Sequence, residues 1–272
     1  MPWNLLADSN ESMKQKIYQV DAFAEKLFEG NPAAICPLDE WLSDDLMQQI
    51  AAENNLSETA FFVKRAACYQ LRWFTPLNEV NLCGHATLAT AFIIVTELED
   101  KSEEIIFETK SGQLKVSQNN GLYRMDFPSQ PPSPCEIPEG LVAALGAEPK
   151  EIFSAEDFLV VYSSEDEIRD LKPNFNDLNG LPLRGVIVTA PSENYDFVSR
   201  WFGPNVGVDE DPVTGSAHTT LTPYWSKRLG KTSLRAKQIS ERGGELLCEL
   251  EDDRVVISGR AVKYLEGEIE IS

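Results

Sequence analysis

The sequence predicts an α+β protein of two similar, pseudo-symmetric domains, and three observations point that way. Short segments rich in β-branched and aromatic residues recur along the chain, with helical segments between them. Two helical segments, GHATLATAFIIVTEL and SAHTTLTPYW, carry almost no charge, so each should be buried on all sides. Both start alike, as Gly84-His85-Ala86-Thr87-Leu88 and Gly215-Ser216-Ala217-His218-Thr219-Thr220-Leu221. The two glycines stand 215 − 84 = 131 residues apart, close to half of the 272-residue chain, as an internal duplication would place them.

The elements follow in order. Residues 1–12 read as an N-terminal extension, without the basic and apolar regions of a secretory signal. KIYQVDAFA (16–24) is a strand, Gly30-Asn31-Pro32 a turn, and 33–36 a short buried strand. Ser43 caps a helix over DDLMQQIAAENN, where Leu46, Ile50 and Ala51 have helical spacing and Asn54-Asn55 suits the end. SETAFFV and YQLRWFT are strands about the KRAAC turn, and residues 78–83 lead into the first uncharged helix. EIIFET, QLKVSQ and LYRMDFP are strands, the last two joined by the Asn119-Asn120-Gly121 turn. The Pro-rich PSQPPSPCEIPEG reads as a linker, and the domains are expected over 13–124 and 125–272, the last strand being a candidate to return to the first domain. In the second half PEGLVAALG and DEIRDLKPN are short helices, and FLVVYSS, RGVIVTAP and FVSRWFGP are strands. The second uncharged helix ends at Lys227-Arg228-Leu229-Gly230, and AKQIS, ELLCEL, RVVISG and GEIEIS close the chain as strands.

Composition narrows the function. With 42% hydrophobic and 25% charged residues the chain reads as soluble and globular. A net charge of −20 argues against nucleic acid or an anionic membrane as partner. LATAFIIVTEL is too short to span a bilayer. Cys36, Cys68, Cys83, Cys135 and Cys248 form no CxxC pair and the chain has two histidines, so no metal site is expected and the reducing cytoplasm is the natural compartment. No nucleotide-binding glycine pattern appears, and no cofactor is expected. The acidic balance would repel an anionic substrate, so local donors such as helix N-termini would have to bind it.

DEDPVTGSAH (209–218) admits two readings. In the ordinary one Thr214 or Ser216 caps a helix, and Asp209, Glu210 and Asp211 complement its dipole. In the other, the two duplicated helix starts face one cleft and hold an anion between them. Glu58 shares a strand face with Ala60 and Phe62, where desolvation would raise its proton affinity and suit it to general acid/base work. Each signal has a plain counterpart: a solvent-facing Glu58, an ordinary buried thiol at Cys83, a satisfied core imidazole at His85.

Together the motifs NPAAICPL, LSETAFF, RWFTPLNEVNLCGHATLATAF and EDPVTGSAH resemble those of the PhzF-like proteins of phenazine biosynthesis, relatives of diaminopimelate epimerase and proline racemase. The resemblance covers the chain from about Lys16 onward. It implies that each domain is a curved, mostly antiparallel sheet or barrel around a central helix, with the active site in the interdomain cleft. It implies Glu58 as general acid/base, with His85, Asp211 and Ser216 as the other catalytic residues that hold substrate and relay protons. Cys83, Gly84, Thr214, Gly215 and Ala217 would line the substrate. The epimerase relatives use two opposed cysteines; here those positions hold Cys83 and Thr214, and a threonine hydroxyl is far too weak an acid to replace a thiol. The expected function is a cofactor-independent, biosynthetic isomerase of a small anionic metabolite, working as a homodimer by family habit. Two alternatives stand beside it: an amino or hydroxy acid epimerase or dehydratase using Cys83, and a non-catalytic scaffold that binds a metabolite or partner.

Overall fold

A computed structural model describes residues 13–271; the expected extension at 1–12 lies outside the described residues. The first half runs β1 (Met13–Ala22), β2 (Asn31–Leu38), α1 (Asp44–Asn54), β3 (Glu58–Arg65), β4 (Cys68–Phe74), β5 (Glu79–Val80), α2 (Gly84–Thr96), β6 (Glu104–Thr109), β7 (Gly112–Asn119) and β8 (Leu122–Pro128). The second runs β9 (Ser133–Pro134), α3 (Leu141–Leu145), β10 (Glu151–Ser154), β11 (Phe158–Val161), α4 (Glu165–Asp170), α5 (Phe175–Leu178), β12 (Val186–Ala190), β13 (Phe197–Phe202), α6 (His218–Leu229), β14 (Ser233–Gln238), β15 (Gly244–Glu251), β16 (Arg254–Gly259) and β17 (Ala261–Ile271).

The duplication is explicit in the strand pairing. β1-β2-β3-β4-β6-β7-β8 pair in that order as antiparallel, parallel, antiparallel, parallel, antiparallel, antiparallel. β10-β11-β12-β13-β14-β15-β16 repeat the same series of senses. Each parallel pair needs a crossover, and the helices supply it: α1 and α2 in the first half, α4 with α5 and then α6 in the second. β8 pairs antiparallel with β16, joining the halves, and β17 returns to pair along the full length of β1. The junction expected between residues 124 and 125 falls inside β8, a strand that pairs with both halves.

The two uncharged helices occupy the middle of the halves. Residues 85–91 of α2 are all buried, and α2 packs against β1, β2, β3, β8 and β17. Residues 218–222 of α6 are likewise buried, against β14, β15 and β16. On the outer faces α1 covers one apolar cluster with Met47 and Ile50, and α3, α4 and α5 cover another with Leu141, Ile168 and Leu178. α6 contains Pro223, whose ring removes the hydrogen bond that the Thr219 carbonyl would accept. That carbonyl accepts instead from the Gln130 backbone N–H at 3.0 Å, which ties the segment after β8 to the helix.

Four short elements, β5, β9, β10 and α5, go beyond the sequence reading. At two to four residues they have no periodicity to detect, and their partners are set by the sheet around them. No helix among the described residues is long and apolar enough to cross a membrane.

One glycine fixes a wall that matters below. A Cβ on Gly203 would lie 1.9 Å from the Trp201 ring, and Trp201 cannot yield because its Nε1–H is bonded to Asp157 at 3.0 Å. Gly203→Ala is expected to cost about 1–3 kcal/mol, the usual range for overpacking. An unchanged urea midpoint would show that the indole has room to move.

Candidate active site

Both core helices start at one cleft of about 560 Å³, lined by Cys83, Gly84 and His85 from the first half and by Thr214, Gly215 and Ser216 from the second. Neither helix start carries a side-chain cap, whereas α1, α4 and α5 are capped by Ser43, Ser164 and Asn174. The capping role considered for Thr214 and Ser216 is therefore not what these side chains do. Thr214 Oγ1 donates to Asp211 Oδ2 at 2.6 Å, and Ser216 Oγ accepts from Arg184 Nη2 at 3.1 Å. In α6 the first-turn N–H groups of His218, Thr219 and Thr220 bond the carbonyls of Gly215, Ser216 and Ala217, so the backbone donors at the cleft without an acceptor among the described residues are those of Gly84 and His85 in α2 and of Gly215 and Ser216 just before α6. Gly84 and Gly215 add to this: each has room for a Cβ, with nothing nearer than 3.8 Å, and neither has a left-handed backbone. The fold does not demand glycine at either place, but a ligand lying against the backbone would.

Glu58 opens β3, with its carboxylate largely buried, and its Oε2 lies 3.1 Å from His85 Nε2. The two atoms are close without being aligned for a hydrogen bond, so each keeps unused bonding capacity. Burial alone would favour a neutral His85 ring, but the neighbouring Cys83 sulfur and Glu58 carboxylate together outweigh it and hold the proton affinity well above the imidazole norm. On the ring's other side Nδ1 lies 3.5 Å from Cys83 Sγ. Burial pushes the Cys83 thiol up to about 11, so it stays protonated near neutrality. Glu58, Cys83 and His85 offer an oxygen, a sulfur and a nitrogen within 4.8 Å of one another, as metal ligands do. The imidazole, however, stands between the other two with one nitrogen turned to each. A single ion binds only one ring nitrogen, so an ion held here would leave the other nitrogen unligated against its neighbour.

The three acids before Pro212 have different fates. Glu210 forms a two-point ion pair with Arg200 at 2.8 Å, outside the cleft. Asp211 lines the cleft and accepts from Asn31 Nδ2 at 2.8 Å as well as from Thr214. Its backbone carbonyl accepts from Gln238 Nε2 and Ser240 Oγ, and Gln238 Oε1 takes the Thr214 N–H. Burial raises the Asp211 carboxyl to about 6, against the opposing pull of His85 and the Thr214 hydroxyl. Asp209 makes no ion pair among the described residues.

One expectation needs correction. Ala217 is buried at the N-cap of α6, its side chain in the core rather than on the cleft. His218, the histidine of the EDPVTGSAH motif, is also a core residue: Nδ1 meets the Thr214 carbonyl at 2.9 Å, and burial depresses its proton affinity to about 4. Arg184 is the residue that the motifs did not mark. It lines the cleft, clamps Asp157 through Nε at 3.0 Å and Nη2 at 2.6 Å, and lies 5.3 Å above the Trp201 ring. The only available signal was an arginine preceding the apolar GVIVTA run in a very acidic chain, and nothing local tells it from other surface arginines.

Comparison with known proteins agrees over nearly the whole chain. The family model described as "Phenazine biosynthesis-like protein" matches residues 20–267. An uncharacterized isomerase of Pseudomonas aeruginosa is 56% identical over 259 residues, covering 95% of this chain and 100% of that protein. The crystal structure of a PhzF-family phenazine biosynthesis protein from Enterococcus faecalis superposes with a TM-score of 0.93 at 47% identity, over 94% of this chain and 99% of that one. A hydroxyproline epimerase from Agrobacterium vitis, at 9% identity over 94% and 92% of the two chains, shares the fold with a TM-score of 0.59.

The raised proton affinity of Asp211 has a thermodynamic sign. Its linked stability is fully present below the ordinary 3.8 and is lost as pH rises through about 6, a span worth roughly 3 kcal/mol. Asp211→Asn keeps an acceptor for Asn31 and can donate to the Thr214 hydroxyl. The variant should melt higher than wild type at pH 8, with the difference vanishing toward pH 4. His218, unchanged in both proteins, cancels from the comparison. A difference in Tm that is the same at pH 4 and pH 8 would mean that Asp211 is not the titrating group.

Proposed function

The chain belongs to the phenazine biosynthesis-like (PhzF) family and is an isomerase, and from that premise we propose that it moves a proton between carbons of a small anionic metabolite without a cofactor. The observation that carries this reading is the Glu58–His85 pair, partly desolvated, whose facing atoms Oε2 and Nε2 lie 3.1 Å apart and make no other hydrogen bond among the described residues, at a cleft shared by two uncapped helix starts. In the proposed reaction the Glu58 carboxylate removes a proton from a carbon next to an electron-withdrawing group. The electron pair of the broken C–H bond delocalises into that group. The same carboxyl returns the proton to another carbon on the same face, so no net oxidation occurs. The His85 imidazolium and the backbone N–H groups of Gly84 and Gly215 would stabilise the shifted charge, with Ser216 and Asp211 holding the substrate against the second wall. Asp211, titrating near 6, is suited to exchange a proton close to neutrality.

A thiol mechanism has less support. The Cys83 thiol is pushed up to about 11, and the position facing it in the duplicated frame is Thr214, whose hydroxyl is engaged with Asp211.

The test is proton exchange. Incubated in deuterated water with a panel of unsaturated and amino-substituted small acids, the wild-type protein should place solvent deuterium on the carbon skeleton of its substrate. Glu58→Gln should slow this by about a hundredfold or more, the scale of a lost general base. Iodoacetamide should leave the wild-type rate intact. Undiminished exchange in Glu58→Gln, together with inactivation by iodoacetamide, would transfer the role to Cys83.

A further inference from the structure

Arg184 is the single Lys or Arg lining a cleft whose other charged walls are Glu58, Glu156, Asp211 and His85. It is also held with unusual firmness. Asp157, with a side chain 2% exposed, takes Nε–H and an Nη2–H in a two-point clamp and accepts a third bond from Trp201 Nε1. The Trp201 indole supports the guanidinium from its face, and Gly203 lets that indole pack close. The second Nη2–H goes to Ser216 Oγ. Of the five N–H groups, three are therefore committed. The remaining two, on Nη1, meet only the Glu156 carboxylate at 3.5 Å, on a side chain that is 47% exposed.

Two consequences follow for the hydroxyl and for the ligand. Because Ser216 Oγ accepts from Arg184, its own proton is free to be donated into the cleft. Ser216 O–H, Arg184 Nη1 and the Gly215 N–H just before α6 thus present donors at one wall, and Glu58 presents a base at the other. Asp157 already neutralises the guanidinium, so recognition here works by oriented N–H groups rather than by net charge, and it is compatible with a chain of charge −20. We propose that Arg184 is a specificity residue that receives the carboxylate of the substrate, so that the acid group is seated against Arg184 and Ser216 and the reacting carbons lie toward Glu58 and His85. Glu156 competes for the same Nη1 edge. This orientation rests on the reading of the cleft as an isomerase site, but its test does not use turnover.

Sulfate and malonate are the probes, titrated calorimetrically at pH 7 into the full chain and soaked into crystals. Wild type should bind malonate, with density at Arg184 Nη1 and Ser216 Oγ. Arg184→Lys, which keeps a charge for Asp157 but loses the fork, should weaken binding several-fold. Arg184→Gln should weaken it about tenfold or more, the loss of a charge-assisted bond. If Arg184→Gln fails to fold because Asp157 is left unpaired, the double variant Arg184→Gln with Asp157→Asn removes the stranded charge. Glu156→Gln should tighten binding a few-fold, whereas Arg65→Met, at the exposed pair with Glu40 and at the opposite end of β3 from Glu58, should not alter it. Malonate affinity unchanged in the Arg184 variants, density only at Gly84 and His85, or no binding by wild type would each overturn the proposal. Such a result would leave the Glu58 exchange experiment standing, and a failed exchange experiment with intact malonate binding would overturn the reaction while keeping the subsite.

Discussion

A helix enclosed on every side can pair its backbone everywhere except in its first turn, and that constraint organises the rest of this molecule. α2 and α6 are sheathed by strands, so their N-terminal donors must be answered at one end. The surface helices answer theirs with Ser43, Ser164 and Asn174. The two core helices have no side-chain cap, α6 closing its first turn on the carbonyls of Gly215, Ser216 and Ala217, and both open onto one cleft because β8 and β16 join the duplicated sheets edge to edge. Asn31 strengthens the join from the first half: its amide bonds both the Asp211 carboxylate and the Val213 carbonyl of the second. Cleft and domain contact are thus built from the same few residues.

Within that symmetric frame, positions 131 residues apart have diverged in chemistry while keeping their structural work. Thr87 Oγ1 bonds the Cys83 carbonyl at 2.6 Å, four residues back, and His218 Nδ1 meets the Thr214 carbonyl in the same relation. His218 is therefore the counterpart of Thr87, not of His85. The counterpart of His85 is Ser216, and that of Cys83 is Thr214. One half presents an imidazole beside a carboxylate, and the other a hydroxyl beside a guanidinium. Such asymmetry gives a cleft with one imidazole–carboxylate wall and one hydroxyl–guanidinium wall, whereas two opposed thiols would make the walls equivalent.

The electrostatics follow from burial more than from total charge. Desolvation raises the proton affinity of Asp211 toward neutrality and keeps the His218 imidazole uncharged. The excess acid of the chain sits mainly on exposed surface, in pairs such as Arg254 with Asp126 and Arg228 with Glu151, where water screens it. Inside the cleft the balance is set by a few fixed groups.

The sequence by itself determined the longer strands, the two uncharged helices, the Ser43 cap and the Asn55 helix end, because each depends on neighbours within a few positions, and it also showed the repeat that relates the halves. The motifs also marked Glu58, His85, Asp211 and Ser216, and all four line the cleft. Only the tertiary structure decided that Ala217 and His218 turn into the core, that Thr214 and Ser216 leave their helix uncapped, and that Arg184 faces the site. It also supplied β10 and α5, which are too short to carry a pattern. The physical reason is the same in each case. Local propensity is written in adjacent residues, but the partner of a polar side chain is chosen by strand pairing across the chain. Asn31 meets Asp211 across 180 positions, and Arg184 meets Ser216 across 32, distances over which no sequence period reaches.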